Sequence, residues 1–558
     1  MTSTPPPGGG TNASRGGRSA RSGCAVITGV LLIGIGSVFL AVNVLSFVGV
    51  SSLRVGIQVL AWYGVYWPLL FIAWGAYKIF ERVKHPGRSY VTAPEIVVLV
   101  WILISGLAIR GVGRIAEEVA TDVSLEDFAS LFGSEFLGPT HRAVDDASFE
   151  LVNTRVLVID NGHGDVVIRG ADEPRLRVTM TKQIHGFSDT DVDSAFAAVH
   201  LDFSGDGQGE PSRFARLKIS RGERARGVRT DLEIQVPKNV SVKLSNARGS
   251  VRLEDLTALA EIKTTHGDVE VTNLSAGLDV ETKFATIRLD RISGQVTAKN
   301  QHGSISAIHV DGDVTATTEH SLVTAEHVTG TLHLRTDHGS VRAADIGGSV
   351  EITSPYSEVS VERAGGDVSV RASHRPVFVH DVAGGLEVVA RSARILVRGV
   401  AGDVSIDGRH RPVSVADVQG KVSVIGEQNA VYVDSVGGAV SVESSHEDVH
   451  VSNFAVGLTI RTSHADVGVD VSRVNDAIEV ETSYGNVSLA LPASASVQLQ
   501  ATNRDGGFSS ELPELAGELD AGERSDGQRR WEGALGDGIH RVTLATSYGD
   551  IVLTRVSP

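Results

Sequence analysis

The sequence predicts an all-β fold, a parallel β-solenoid with 18-residue coils, preceded by an α-helical transmembrane region. Three observations carry that reading. Stepping by 18 from Val251 through Val269, Ile287 and Ile305 to Val467 meets only Val or Ile at thirteen successive positions. Glycine recurs in the same step at 294, 312, 330, 348, 366, 384, 402, 420 and 438. Well before these repeats, residues 24–45 form an apolar run without a single charge.

The repeat dictates the coil. Each unit reads approximately G-x-V-x-V-x-x-V-x-G-x-V-x-V-x-T-x-H. Alternation of period two marks strands with one buried face, and β-branched residues suit the inward positions. Glycine lets the backbone turn sharply between strands. A fixed period stacks equivalent residues, so each coil pairs with its neighbours and the inner columns merge into one core. With strands ~4.8 Å apart, thirteen coils make a rod of roughly 60 Å. An immunoglobulin-like sandwich has no reason to hold an unbroken period of 18. A hexapeptide-repeat transferase coil also has 18 residues but needs an apolar residue every sixth position, and Val269 is followed by Ser275 and Glu281. The calcium-binding nonapeptide repeat is absent from the sequence.

The chain divides into a disordered cytoplasmic leader (1–23), a transmembrane region (24–110), a juxtamembrane helical linker (111–152) and the solenoid (153–558). Regular coils run from about 240 to 490 with caps on both sides. The leader is Pro, Gly, Ser, Thr and Arg and lacks the apolar surface to fold. Residues 24–45 are long enough to cross a ~30 Å hydrocarbon core. A second span lies at about 56–80, with Trp62, Tyr63, Tyr66 and Trp67 as interfacial anchors, and residues 93–109 form a shorter third candidate. Arg15, Arg18 and Arg21 in the leader and Arg82, Lys84 and Arg88 in the second loop place both segments in the cytoplasm. Three spans then put the solenoid outside the membrane; two would leave it inside. The spacing of Ile115, Val119, Phe128, Leu131 and Phe132 predicts short amphipathic helices in the linker.

Composition narrows the function. The chain has 51 Lys+Arg and 67 Asp+Glu, a net charge of −16. Residues 91–558 hold 43 basic and 66 acidic side chains, so the large C-terminal part would repel a phosphate backbone. The single cysteine, Cys24, excludes an intrachain disulfide framework and any multi-cysteine metal cluster.

Two sets of residues invite a chemical reading. In the register of residue 266 stand His266, Phe284, His302, His320, His338, Tyr356, His374, Ser392, His410, Gln428, His446 and His464. Stacked imidazoles could share a transition metal. Phe, Tyr, Gln and Ser in the same column favour a stack of planar side chains beside the turn. Acids follow glycine at Asp268, Asp313, Asp367 and Asp403, but Ser304, Ser340 and Ser349 occupy equivalent places. A hydroxyl and a carboxylate both serve a turn, whereas only the carboxylate does acid–base work. No catalytic, cofactor-binding or metal site is therefore assigned, and no cofactor is expected.

The half-coils THGDVEV, DHGSVRA, AGDVSI and SYGDIVL, flanked by LEIQVPKNVSVKLSNARGSV and VSLALPASASVQLQATNRDGG, resemble the bacterial putative-adhesin domain of unknown function over about 150–558. The segment VITGVLLIGIGSVFLAVNVL followed by VYWPLLFIAWGAYKIFER resembles the transmembrane region of LiaF-type cell-envelope stress proteins over about 26–83. Neither resemblance brings a catalytic residue.

The sequence thus predicts a non-enzymatic integral protein of the cytoplasmic membrane, multi-pass, with an extracytoplasmic solenoid for adhesion or scaffolding. Its expected partner is an envelope protein or a surface polysaccharide, with self-association as a further option and nucleic acid excluded. Envelope-stress sensing is the alternative. A polysaccharide-active β-helix enzyme comes third, because coils 248–464 carry no insertion from which a groove could be built.

Overall fold

The computed structural model describes residues 139–556, apart from 152–153, 186–188, 206–212, 226, 513–514, 516–522 and 526. The expected leader, the membrane spans and the amphipathic pattern at 111–136 lie outside the described residues. Among the described residues, no helix is long and apolar enough to cross a membrane.

The repeat folds as a parallel β-solenoid of about 14 turns. Each coil gives one strand to each of two facing sheets. On the first sheet Val269 pairs with Ile287, Ile287 with Ile305 and Ile395 with Val413. On the second, Val296 pairs with Val314 and Leu386 with Val404. Every one of these steps is 18 residues. Two extra residues enter between Val467 and Ile478, where the step lengthens to 20, as in Leu458 with Ile478 and Val467 with Val487.

The two strands of a coil bury side chains differently. A first-sheet strand such as Val377–Val382 turns residues one, three and six inward. Two outward residues in a row require a kink, and the second of them takes a left-handed backbone. Asp255, Asn273, His309, His327, Asp345, Asp381 and Asp417 all show φ near +55 to +60°. Asn, Asp and His tolerate that conformation best among residues with a side chain. A second-sheet strand such as Val350–Ser354 alternates strictly and ends on a small polar residue at the turn.

That last position forms an interior polar column of Asn246, Thr264, Thr282, Asn300, Thr318, Thr336 and Ser354. Its asparagines serve the turns. Asn300 Nδ2 donates to the Ala285 carbonyl at 2.6 Å and to the Gly303 carbonyl at 2.8 Å. Thr282 Oγ1 donates to Asn300 Oδ1 at 2.9 Å, linking adjacent coils. Buried turn carbonyls thereby gain partners that water cannot supply. Where the column reaches Gly408 and Gly426, Asn429 from the turn fills the space. A Cβ on Gly426 would lie 2.2 Å from Asn429 Oδ1.

The ends depart from chain order. Strands β1 (Thr140–Glu150), β2 (Val156–Asn161), β3 (Val166–Ala171) and β4 (Arg175–His185) are followed by helix α1 (Asp189–Ala197). Then come β5 (Val199–Ser204), β6 (Phe214–Arg221), β7 (Arg229–Pro237) and β8 (Ser241–Arg248). The coil β2–β3 lies between later segments: β2 pairs with β6 on one side and β8 on the other, and β3 sits between β7 and Val251–Leu256. The far end repeats the device. Strand Ile551–Arg555 inserts between Val487–Leu491 and Phe508–Ser510. Antiparallel strands close both ends, β4 on β7 and Gln528–Leu535 on Val497–Asn503. Covering the outermost ladder protects its unpaired backbone groups from association.

One boundary of the sequence reading is corrected. Residues 140–150, expected within the helical linker, form β1, whose eleven residues all pair antiparallel with β4. The outer edge of β4 needs hydrogen-bond partners, and an extended neighbour supplies them where a helix cannot.

The unit of stability is a whole coil. Deleting residues 358–375 should bring Val377 onto Val341 in register and keep the melting temperature close to that of the parent. Deleting 358–366 removes a first-sheet strand alone and forces a second-sheet pattern into its place, so it should melt far lower. Equal melting of the two deletions would show that 18 residues are not the repeating unit.

Candidate functional site

Stacking in register turns any repeated side chain into a column, and the two turn edges of the solenoid carry different chemistry. On one edge the planar side chains meet face to face. The rings of His266, Phe284, His302, His320, His338, Tyr356 and His374 form an unbroken ladder with centroids 5.0–5.1 Å apart and planes within 24°. Ser392 ends it. A second ladder joins His446, His464, Tyr484 and Tyr548 at 4.6–4.9 Å. Between them, His410 and Gln428 meet through Nδ1 and Oε1 at 2.9 Å.

This arrangement decides what the column can do chemically. A Zn–N bond is about 2.0–2.1 Å, so two imidazoles sharing an ion must bring their nitrogens within roughly 4 Å with lone pairs converging. The ring centroids of His302 and His320 lie 5.0 Å apart with planes only 5° from parallel, so their lone pairs run side by side rather than converge. The rings pack on one another, a contact worth about 0.5–1.5 kcal/mol per aromatic pair. Two kinds of turn hold them. In early coils the residue after the ring, Gly267, Gly303 or Gly339, takes φ of +118 to +146°. From His374 to His446 the column residue itself is left-handed, with φ of 57–75°.

The acids after glycine belong to both edges. Asp268, in the register of Ser304 and Ser340, stands on the ring edge; Asp313, Asp367 and Asp403 stand with Ser349 on the opposite one. Their role is the same. Asp313 Oδ1 accepts the Thr331 backbone N–H at 2.7 Å and its hydroxyl at 2.8 Å, one coil ahead. Asp367 accepts the Gly385 N–H at 2.7 Å and Asp403 the Lys421 N–H at 2.8 Å. Hydrogen bonds from Thr331 hold the Asp313 carboxyl below the usual range. Asp434 is lowered likewise, chiefly by the Ser452 hydroxyl. Asp434 ties strand to strand, whereas Asp313, Asp367 and Asp403 lock one turn to the next, the turn role expected from the sequence.

The sheet faces bear ion pairs between coils, such as Arg252 with Glu270 at 2.7 Å and Arg363 with Asp345 at 2.5 Å. An open depression of about 530 Å³ near the N-terminal end is lined by Lys218, Lys263, Lys283, Asp160 and Glu281, among others. Its charges are mixed. Sequence reasoning passed over a second histidine pair, His309 and His327, tilted at 5.0 Å on the left-handed positions of the first sheet. The signal was there: Asn, Asp or His recurs at that register through much of the array.

The Toastrack DUF4097 family matches residues 228–371 and 310–554, together more than half of the chain. The chain belongs to the Toastrack DUF4097 family. Similar solved structures include a putative cell adhesion protein from Clostridium sporogenes, 8% identical, covering 74% of this chain and 100% of its own, with a TM-score of 0.14. A putative adhesin from Bacteroides fragilis is 10% identical, covers 54% of this chain and 97% of its own, and has a TM-score of 0.18. A putative adhesin from Parabacteroides merdae is 9% identical over 62% of this chain and 97% of its own, with a TM-score of 0.13. No curated protein matches the chain.

Two outcomes are expected of this Toastrack solenoid. Replacing His302, His320 and His338 together by Tyr keeps planar contacts that Phe284 and Tyr356 already make, so the melting temperature should move little. Zinc or nickel should not raise it in the parent. A metal-dependent rise of several degrees, abolished in the triple variant, would reveal a ligand ladder instead.

Acid should act through the turn carboxylates. Asp313 has a depressed folded pKa, so its contribution is present above the unfolded value of ~3.9 and fades as pH falls through the folded one. Asp313→Ala should therefore melt roughly a degree or two below the parent at pH 7. That gap should close toward pH 2 in thermal melts followed by circular dichroism; a gap that widens with acid would contradict the assignment.

Proposed function

We propose that this Toastrack protein is a membrane-anchored, non-enzymatic component of the bacterial cell envelope. Its solenoid is displayed outside the cytoplasmic membrane and works by surface contact, as an adhesin or scaffold. The observation that carries the reading is the uninterrupted 18-residue register from Val251 to Val467. Coils without insertions present two long faces and two long edges, and leave no loop-built groove over the array in which a substrate could be enclosed. Side chains repeating along a face suit a partner that is itself extended, such as a surface polymer or another rod of the same kind.

The apolar segments at 24–45, 56–80 and 93–109, with the arginines that flank them, support the anchor and the outward placement. The resemblance of residues 26–83 to LiaF-type proteins favours a second reading, in which the membrane region engages a signalling partner while the solenoid senses the envelope.

Topology is directly testable. Protease added to spheroplasts should degrade the chain beyond residue 111 and spare the leader. Protection of the solenoid together with cleavage of the leader would reverse the orientation and remove the adhesive reading. Cells displaying the chain should also adhere to envelope material better than cells lacking it.

A further inference from the structure

The ring edge changes character over three consecutive coils. Its turns there read Ser373-His374-Arg375-Pro376, Arg391-Ser392-Ala393-Arg394 and Arg409-His410-Arg411-Pro412. These twelve positions hold five arginines and no acid, in a region of the chain where acids outnumber bases by 66 to 43. The same registers are acidic on either side: Glu319 and Asp337 precede Arg391 in its column, Glu358 precedes Arg394, and Glu427 follows Arg409. The strands stack Arg391 directly on Arg409.

The cluster lacks compensation. Many arginines on the solenoid find carboxylates one coil away, as Arg252, Arg363 and Arg461 do, although Arg335 and Arg473 do not among the described residues. Of the five on this edge, Arg409 pairs with Glu427 at 3.3 Å and reaches Asp407 at 3.9 Å. Arg375, Arg391, Arg394 and Arg411 are exposed and have no ion-pair partner among the described residues. Clustering like charges costs free energy, and on this edge four guanidinium groups gathered within three coils have no carboxylate to relieve it, which an external anion would do.

An apolar step borders the cluster. Immediately after the turns, Phe378 and Leu396 pair across adjacent coils on the outer face of the first sheet, both part-exposed. Two coils further along the same column stands Tyr432, 48% exposed. We infer that this edge, with Arg375, Arg391, Arg394 and Arg411 beside Phe378 and Leu396, binds an acidic polysaccharide. The inference rests on the surface-contact reading above and names the ligand class for one part of that surface.

The chemistry fits both halves of such a polymer. A uronic or sulfated sugar offers an anionic group that a guanidinium holds through two parallel hydrogen bonds. It also offers a C–H face that packs on an aromatic ring and a branched aliphatic side chain. Each of the three coils, ~4.8 Å apart, contributes at least one of these guanidinium groups, so an extended polyanion lying along the edge can engage several at once. An inorganic polyphosphate offers the anions but no C–H face for Phe378 and Leu396.

The test uses purified full-length chain and sodium polygalacturonate in a titration at low and moderate salt. Binding is expected, weakening as salt rises. Arg391→Glu/Arg394→Glu/Arg411→Glu should lose at least tenfold in affinity at an unchanged melting temperature. Arg252→Glu/Arg288→Glu/Arg342→Glu, which alters net charge equally but elsewhere, should lose less than threefold. Phe378→Ala should weaken polygalacturonate several-fold while leaving retention of inorganic polyphosphate unchanged. Equal losses in the two triple variants, tighter binding of single-stranded DNA or of anionic phosphatidylglycerol vesicles than of polygalacturonate, or no effect of Phe378→Ala would each overturn the assignment. Failure of the parent chain to bind polygalacturonate while cells displaying it still adhere would sink the acidic-glycan site alone. Loss of adhesion itself would sink the surface-contact reading on which the site rests.

Discussion

Everything in this molecule depends on one constraint: each strand hydrogen-bonds to the strand one full coil away, so residue i lies on residue i+18. Parallel pairing at that fixed offset makes each position in the coil a column along the stack. Val and Ile columns become the core. A Thr and Asn column inside one edge supplies turn carbonyls with donors, and aspartates at intervals on the other tie their turn to the next. The ring ladder is the same principle applied to an exposed position. Because coupling is between neighbours, the energetic unit is the coil, and tolerance to change depends on whether a change preserves the register.

The constraint also decides where irregularity is permitted. An extra residue within a strand would reverse the facing of every side chain beyond it, whereas extra residues at a turn only lengthen the turn. The two additional residues between Val467 and Ile478 sit at an edge, and the pairing of Val467 with Val487 resumes in register. The two ends, freed from the repeat, solve a different problem. A stack of parallel strands leaves an open ladder at each end, a template for unwanted association. Both ends are closed by slotting a distant strand pair into the stack and laying antiparallel strands outside it. Residues 156–171 and 540–555 perform the insertion, so closure requires contacts far apart in sequence. The stacked rings of Phe149 and Phe203, 4.1 Å apart, and the packing of Trp531 on Phe508 at 5.1 Å consolidate the two caps.

Much of the functional surface was legible before any coordinates. The register of residue 266 named the members of the ring ladder, and the substitution of His by Phe and Tyr within it pointed to stacking. Asp and Ser exchanging after glycine pointed to turns. The left-handed positions at 255, 273, 309 and 327 and the interior column from Asn246 to Ser354 were written in the same repeat but concealed by it, since polar residues on both faces of a strand look alike in sequence. The arginine edge was hidden for another reason. Arg375, Arg391, Arg394 and Arg411 scatter over 37 residues of chain, and an arginine in a string of letters carries no mark of whether a carboxylate lies beside it.

By itself, the sequence determined the coil: its length, its inward columns, its turns and the order of its columns around the cross-section. Those follow from side-chain period and backbone preference, which act over a few residues and repeat without change. Only the tertiary structure decided which strands are neighbours at the ends, that residues 140–150 extend into a strand, and which charged side chains are neutralised by a partner. Each of these depends on contacts between segments that the 18-residue period does not relate. Local pattern is silent about such contacts, and pairing energy between distant backbone and side-chain groups settles them.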